Sequence, residues 1–127
     1  MQELKRQGGI IGIGEEDVRY DIYQRCLIIY INKDLDHHNA LSIRDKADKL
    51  IDNNHIKNII FDFTEADFMD SAGIGVIMGR YKKVIFIGGI AAVTNVNAAV
   101  DRIFRLSGLY KIIEKYNTVD DAVKILQ

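Results

Sequence analysis

The sequence predicts an α/β domain: a mixed sheet of four or five strands that opens with an antiparallel hairpin and carries about four helices. Three observations predict it. The apolar residues change period along the chain, from two to 3.6 and back, in the order β-β-α-β-α-β-α-β-α. Cys26–Ile31 is a continuous apolar run, as a strand of a sheet covered on both faces must be, and Asn58–Phe63 reads as another buried strand. The chain has 127 residues, 48% of them hydrophobic, and no linker or low-complexity tract divides it, which is the size of one domain. A core of that size buries roughly 65–70% of the surface of the unfolded chain and needs no metal or disulfide to hold it.

Residues 1–14 carry four of the ten glycines and no period, and read as an N-terminal extension, disordered or forming an irregular first strand; the domain proper is then 15–127. Val18, Tyr20 and Ile22 alternate with Arg19, Asp21 and Tyr23, the period of a half-buried strand. Gln24-Arg25 breaks this run before Cys26–Ile31, so the two segments pair as a hairpin. From Asn39, a candidate N-cap, Ala40, Leu41, Ile43, Ala47, Leu50 and Ile51 form a helical stripe that Asp52-Asn53-Asn54 ends. Asn58–Phe63 is the next strand. A second helix runs from Ser71 to Lys82 or Lys83, with Ile74, Ile77, Met78 and Tyr81 at helical spacing. Its glycines Gly73, Gly75 and Gly79 each cost about 1 kcal/mol relative to alanine, which implies close approach of another backbone. Val84–Ile87 is a strand candidate interrupted by Gly88-Gly89, and Ile90–Val96 is the better one. Helix Asn97–Ser107 ends at Gly108, a left-handed C-cap, and Leu109–Ile113 returns to the sheet. Thr118 with Asp121 three residues on resembles a capping box for a last helix, Val119–Leu126.

Composition excludes several classes. A net charge of −1 gives no basic footprint for nucleic acid. The longest apolar runs are far short of a membrane span, and no secretory leader opens the chain, so the reading is cytoplasmic with no membrane partner. Cys26 is the single cysteine and sits in an apolar run, as a small core residue would. His37-His38 and His55 lack the ligand count and spacing of a metal site, and neither metal nor cofactor is expected. The glycines of the second helix lack the Gly-Lys-Ser/Thr ending of a phosphate loop. Ser71 lacks the G-x-S-x-G elbow of a hydrolase, so the chain is read as a non-enzyme.

The informative stretch is Asp67-Phe68-Met69-Asp70-Ser71-Ala72-Gly73-Ile74-Gly75. On the residues alone Ser71 is a helix N-cap, a hydroxyl before an apolar-periodic run. A hydroxyl at that place is also open to phosphorylation, and the phosphate, carrying about −1.5 to −2 charge, would face the positive end of the helix dipole. For a partner docked on Glu65, Asp67 and Asp70, the same added charge would spoil the contact.

Phe68–Lys82 resembles the phosphoacceptor motif of the anti-sigma factor antagonists of the STAS domain family. Leu35-Asp36-His37-His38, Gly88-Gly89 and Phe104-Arg105-Leu106-Ser107-Gly108-Leu109 agree with that family in the same order, from about residue 18 to the C-terminus. The resemblance implies a protein whose unphosphorylated form binds an anti-sigma factor that is also a serine kinase, and so releases a sigma factor. Phosphorylation of the serine matching Ser71 switches it off, and a PP2C-type phosphatase restores it. Asp36 matches an aspartate near the acceptor, and the partner-binding set it implies is Asp36, Asp70, Ser71, Ala72, Gly73 and Gly75. The match is nearest to sporulation regulators in Leu35–His38 and Phe68–Lys82. Two positions depart from the pattern: Lys33 stands where a glycine is usual, and Ala72 stands where many relatives have a second Ser or Thr. The alternative reading is a STAS subunit of a transporter or stress-sensing assembly, with Ser71 only a cap.

Overall fold

The computed structural model describes residues 10–13 and 18–126. Residues 1–9 and 14, the remainder of the segment read as an extension, and the start of the domain at 15–17 lie outside the described residues. The strands are β1 (Ile10–Ile13), β2 (Arg19–Tyr23), β3 (Cys26–Tyr30), β4 (Asn58–Asp62), β5 (Ala91–Thr94) and β6 (Glu114–Tyr116). The helices are α1 (Ala40–Asn53), α2 (Ser71–Phe86), α3 (Ala98–Ser107) and α4 (Val119–Leu126). The strands stand side by side in chain order. β1, β2 and β3 are antiparallel, and β3 to β6 are parallel. β2–β6 make a mixed five-stranded sheet, within the four or five strands expected, and β1 extends it at one edge.

The apolar runs explain the layers. Along β3, Leu27 and Ile29 face one way and Cys26 and Ile28 the other; Ile59, Phe61 and Ile60 repeat this in β4. The first face carries α1, α2 and α3 through Ile43, Ile77, Val100 and Phe104. Among the described residues, α4 is the one helix that covers the second face, through Val119, Ala122, Val123 and Leu126. Gln24, at φ 56°, makes the hairpin turn between β2 and β3.

Three expectations at element ends are corrected. α2 runs past Lys83 to Phe86, because Val84 is buried at helical spacing from Ile77 and Arg80; the Val84–Ile87 strand candidate is mostly the last turn of this helix. Gly88, at φ 83°, then turns the chain, and Gly89 packs so closely that a Cβ on it would lie 1.6 Å from the Lys57 carbonyl oxygen. Leu109–Ile113 does not join the sheet: Leu109–Lys111 is a 3-10 turn, and the Ile113 amide bonds to the Leu109 carbonyl at 2.8 Å. Leu109 and Ile113 are both buried by that turn, and the strand starts only at Glu114. Asn39 holds the N-cap position of α1 without capping it; its side chain turns back into the preceding loop.

Candidate functional site

Two loops at the carboxyl ends of β3 and β4 build the site, the place where open parallel sheets present ligand-binding loops. The first, 31–39, is closed by Asn39, whose Oδ1 accepts from the Asp36 amide at 3.0 Å and whose Nδ2 donates to the Asp34 carbonyl at 2.8 Å. Lys33 is not among the residues with positive φ, so this loop needs no glycine there. The second, 63–70, is anchored from β5. The buried Asp62 accepts from Thr94 Oγ1 at 2.7 Å, Asn95 Nδ2 at 2.6 Å and Thr64 Oγ1 at 2.7 Å. Asn97 caps α3 through the Val100 amide at 2.9 Å while its Nδ2 holds the Ala66 carbonyl and Asp67 Oδ1, both at 3.0 Å.

The loops are stitched together. The Leu35 amide donates to the Phe68 carbonyl at 3.0 Å, and the Asp70 amide donates to the Leu35 carbonyl at 3.2 Å, a one-residue parallel bridge between Leu35 and Met69. This contact explains Gly73. It is buried under the first loop, and a Cβ there would lie 2.3 Å from the Leu35 carbonyl oxygen and 2.7 Å from Met69 Cγ. Gly75 and Gly79 differ: a Cβ on either would meet nothing within 4 Å, and Gly75 is exposed. Of the three glycines, only Gly73 marks a close backbone approach.

The capping role expected of Ser71 falls to Asp70. Asp70 has extended backbone (φ −100°, ψ −172°), and its Oδ1 accepts from the Ala72 amide at 2.9 Å and the Gly73 amide at 3.1 Å. Its Oδ2 accepts from the His37 amide at 3.1 Å and lies 3.3 Å from His37 Nδ1. One carboxylate thus serves both loops, which a hydroxyl with a single oxygen could not do. Ser71 is the first residue of the helix. It is exposed, and among the described residues its hydroxyl has no hydrogen-bond partner. Ala72 beside it is half-buried.

Asp36 reaches the same neighbourhood. Its Oδ1 accepts from the His38 amide at 2.9 Å and stands 3.4 Å from His38 Nδ1, and the two imidazoles lie with centroids 4.0 Å apart. Desolvation pushes its pKa up, but the amide and imidazole of His38 outweigh that and hold it below the usual carboxylate range. Asp70 is lowered too, by the Gly73 amide first and, against some desolvation, by His37 and the Ala72 amide. Phe68, 48% exposed, and Leu41, 59% exposed at the start of α1, add apolar surface to the loops and helix that carry these groups. Asp36, Asp70, Ser71, Ala72 and Gly73 are therefore brought together, with Gly75 one turn along α2. His37, Leu35 and Asn97 are the residues that sequence reasoning missed as site builders. The Leu35–His38 motif was visible, but not what it touches.

Both carboxylates lose their proton more readily in the folded chain than in the unfolded one. The stability they contribute is complete above the ordinary carboxylate range, about pH 4, and is lost as the pH falls through their lowered folded values. Asp70→Ala is expected to lower Tm at neutral pH by about 3–6 °C, through the lost cap. It should also flatten the acid limb of a plot of Tm against pH.

Residues 17–122 match the STAS domain family. The chain is 34% identical over 110 residues to an anti-sigma F factor antagonist of Paenibacillus polymyxa, covering 87% of this chain and 94% of that one. Among solved structures it is similar to the anti-sigma factor antagonist SpoIIAA in its unphosphorylated form, with a TM-score of 0.76 at 28% identity over 85% of this chain and 94% of that one. It is similar also to the Bacillus cell fate determinant SpoIIAA in the phosphorylated form, with a TM-score of 0.70 at 25% identity over 87% of this chain and 99% of that one.

Proposed function

The chain belongs to the STAS domain family, and from that premise we propose that it is an anti-sigma factor antagonist, a regulatory protein rather than an enzyme, switched by phosphorylation of Ser71. Unphosphorylated, it docks on an anti-sigma factor that is also a serine kinase, and the sigma factor is released. Phosphorylated, it lets go, and a PP2C-type phosphatase resets it. The observation that carries this reading is the exposed Ser71 hydroxyl, free of the capping work that Asp70 does beside it.

The chemistry follows from that division of labour. The Ala72 and Gly73 amides are taken by Asp70 Oδ1, so the cap does not draw on the serine oxygen, which is spare. Transfer of a phosphoryl group to it breaks no hydrogen bond within the described residues. The new dianion gains from the helix dipole, worth about 0.3–1 kcal/mol at an exposed site. It then stands next to the Asp70 carboxylate, on an end of the molecule that already carries Asp34, Asp36, Glu65 and Asp67. A kinase surface complementary to that acidic collar and to Phe68 meets extra charge and bulk after it has acted. That difference makes the modification a release signal rather than an unfolding one. The open space over Gly75 supports the exposed side of α2 as part of the contact.

The test is phosphosite mapping by mass spectrometry after incubation with ATP and the cognate anti-sigma kinase. One phosphate on Ser71 is expected, and none in Ser71→Ala. A phosphate on another residue, or undiminished labelling of Ser71→Ala, removes the proposal.

A further inference from the structure

The end of the molecule remote from Ser71 has a surface that this function leaves unused. α2 finishes in three consecutive apolar residues that face water: Ile85 is 48%, Phe86 90% and Ile87 49% exposed. Phe86 and Ile87 form the lip of an open groove of about 710 Å³ whose floor includes Ile51 and Ile56. Ordinary folding does not account for this exposure, because Val84 alone anchors that turn in the core. The polar residues around the lip come from three separate segments and are mainly cationic. Lys82 is exposed and Lys83 borders the groove from α2 itself. Arg25 reaches in from the hairpin turn, held by its Nε on the His55 carbonyl at 3.0 Å. Among the described residues Asp52 is the one acid lining the groove; it pairs with Lys83 at 3.1 Å, and Asp48 stands 3.7 Å from the same amine, so Lys82 and Arg25 carry the unbalanced charge.

We infer that this basic, apolar-tipped end docks on an anionic bilayer surface, with Phe86 and its neighbours inserted among the headgroups. The charge complementarity is with lipid phosphates, and the apolar residues sit at a projecting helix end rather than in a closed pocket, as shallow insertion requires. Such docking needs no membrane span, and among the described residues no helix is long and apolar enough to cross. The orientation also has a use. The acidic loops at the carboxyl ends of β3 and β4 are turned away from the bilayer, so Ser71 stays open to a protein partner while the chain is held at the surface.

The experiment is co-sedimentation at low salt with vesicles of phosphatidylcholine plus phosphatidylglycerol, against vesicles of phosphatidylcholine alone. Binding is expected only to the first. Phe86→Ser should weaken it by about tenfold or more, and Lys82→Glu by about fivefold or more. The chain has no tryptophan, so Phe86→Trp supplies a single reporter whose emission should shift to the blue when anionic vesicles are added. Phe86 is exposed, so each variant should keep its circular dichroism spectrum and its phosphorylation at Ser71, which keeps this test separate from that of the switch. Failure to pellet with anionic vesicles overturns the inference, as does equal pelleting of Phe86→Ser. A blue shift that grows with protein concentration in the absence of lipid also overturns it, because a second copy of the chain would then be the occupant.

Discussion

Ser71→Asp is expected to weaken the complex with the anti-sigma kinase by about a hundredfold, close to 2.7 kcal/mol, while leaving Tm within about 2 °C of the parent. Two opposing terms set this outcome. Within the chain, a carboxylate in the first turn of α2 faces the positive end of the helix dipole and gains about 0.3–1 kcal/mol, less the repulsion from Asp70 next to it. Across an interface, like charge placed in a closely packed contact costs several kcal/mol. The docking term wins. Ser71→Ala should bind as tightly as the parent, with an affinity that ATP no longer lowers, because the cap belongs to Asp70 and survives the change. Calorimetric titration with and without ATP reads both. Equal affinity of Ser71→Asp and the parent would sink the switch.

Gly73→Ala should be the most damaging single change within the site, at about 3 kcal/mol of stability or a fall in Tm of roughly 10 °C. Alanine improves helix propensity by about 1 kcal/mol, but its methyl would lie 2.3 Å from the Leu35 carbonyl oxygen, a distance no real contact reaches. Met69 can swing aside; the Leu35 carbonyl is less able to, because it accepts from the Asp70 amide. The clash therefore pries the 31–39 loop off the 63–70 loop and pulls Asp36 away from Asp70. Gly75→Ala is the matched control. Its methyl enters open space, so the chain should gain about 0.5–1 kcal/mol while binding the kinase less tightly. A thermal melt of the two variants side by side checks the contrast, and similar Tm values for both would show the Leu35 contact to be soft.

How much of this was legible in the sequence follows from range. The hairpin, the buried strands β3 and β4, and α1 announce themselves because their period is set by local burial, and each run is long enough to show it. The edges did not. Asp70 and Ser71 are both good capping residues in adjacent positions, and only the His37 contact, 33 residues away in sequence, makes the carboxylate the better cap. β6 has two exposed residues in three and no apolar period, so its strand signal was claimed by Leu109–Ile113, whose apolar residues actually anchor a turn. The end of α2 was obscured because a β-branched, aromatic-rich stretch reads as strand, although Val84 completes a helical stripe. At the site, the residue types were visible, whereas the pairing of the two loops depends on tertiary contacts that no spacing along the chain encodes.

Strand order has a consequence for how the molecule is made. Every strand hydrogen-bonds to the one synthesised just before it, so a nascent chain can add each new edge as it leaves the ribosome, without waiting for a segment still to be translated. The exception is the layer supplied by α4. Until α4 emerges, Cys26, Ile28, Ile60 and Ala92 lack the helix that covers them, and a ribosome stalled short of Val119 would display a sticky, half-clad sheet to the chaperones around it.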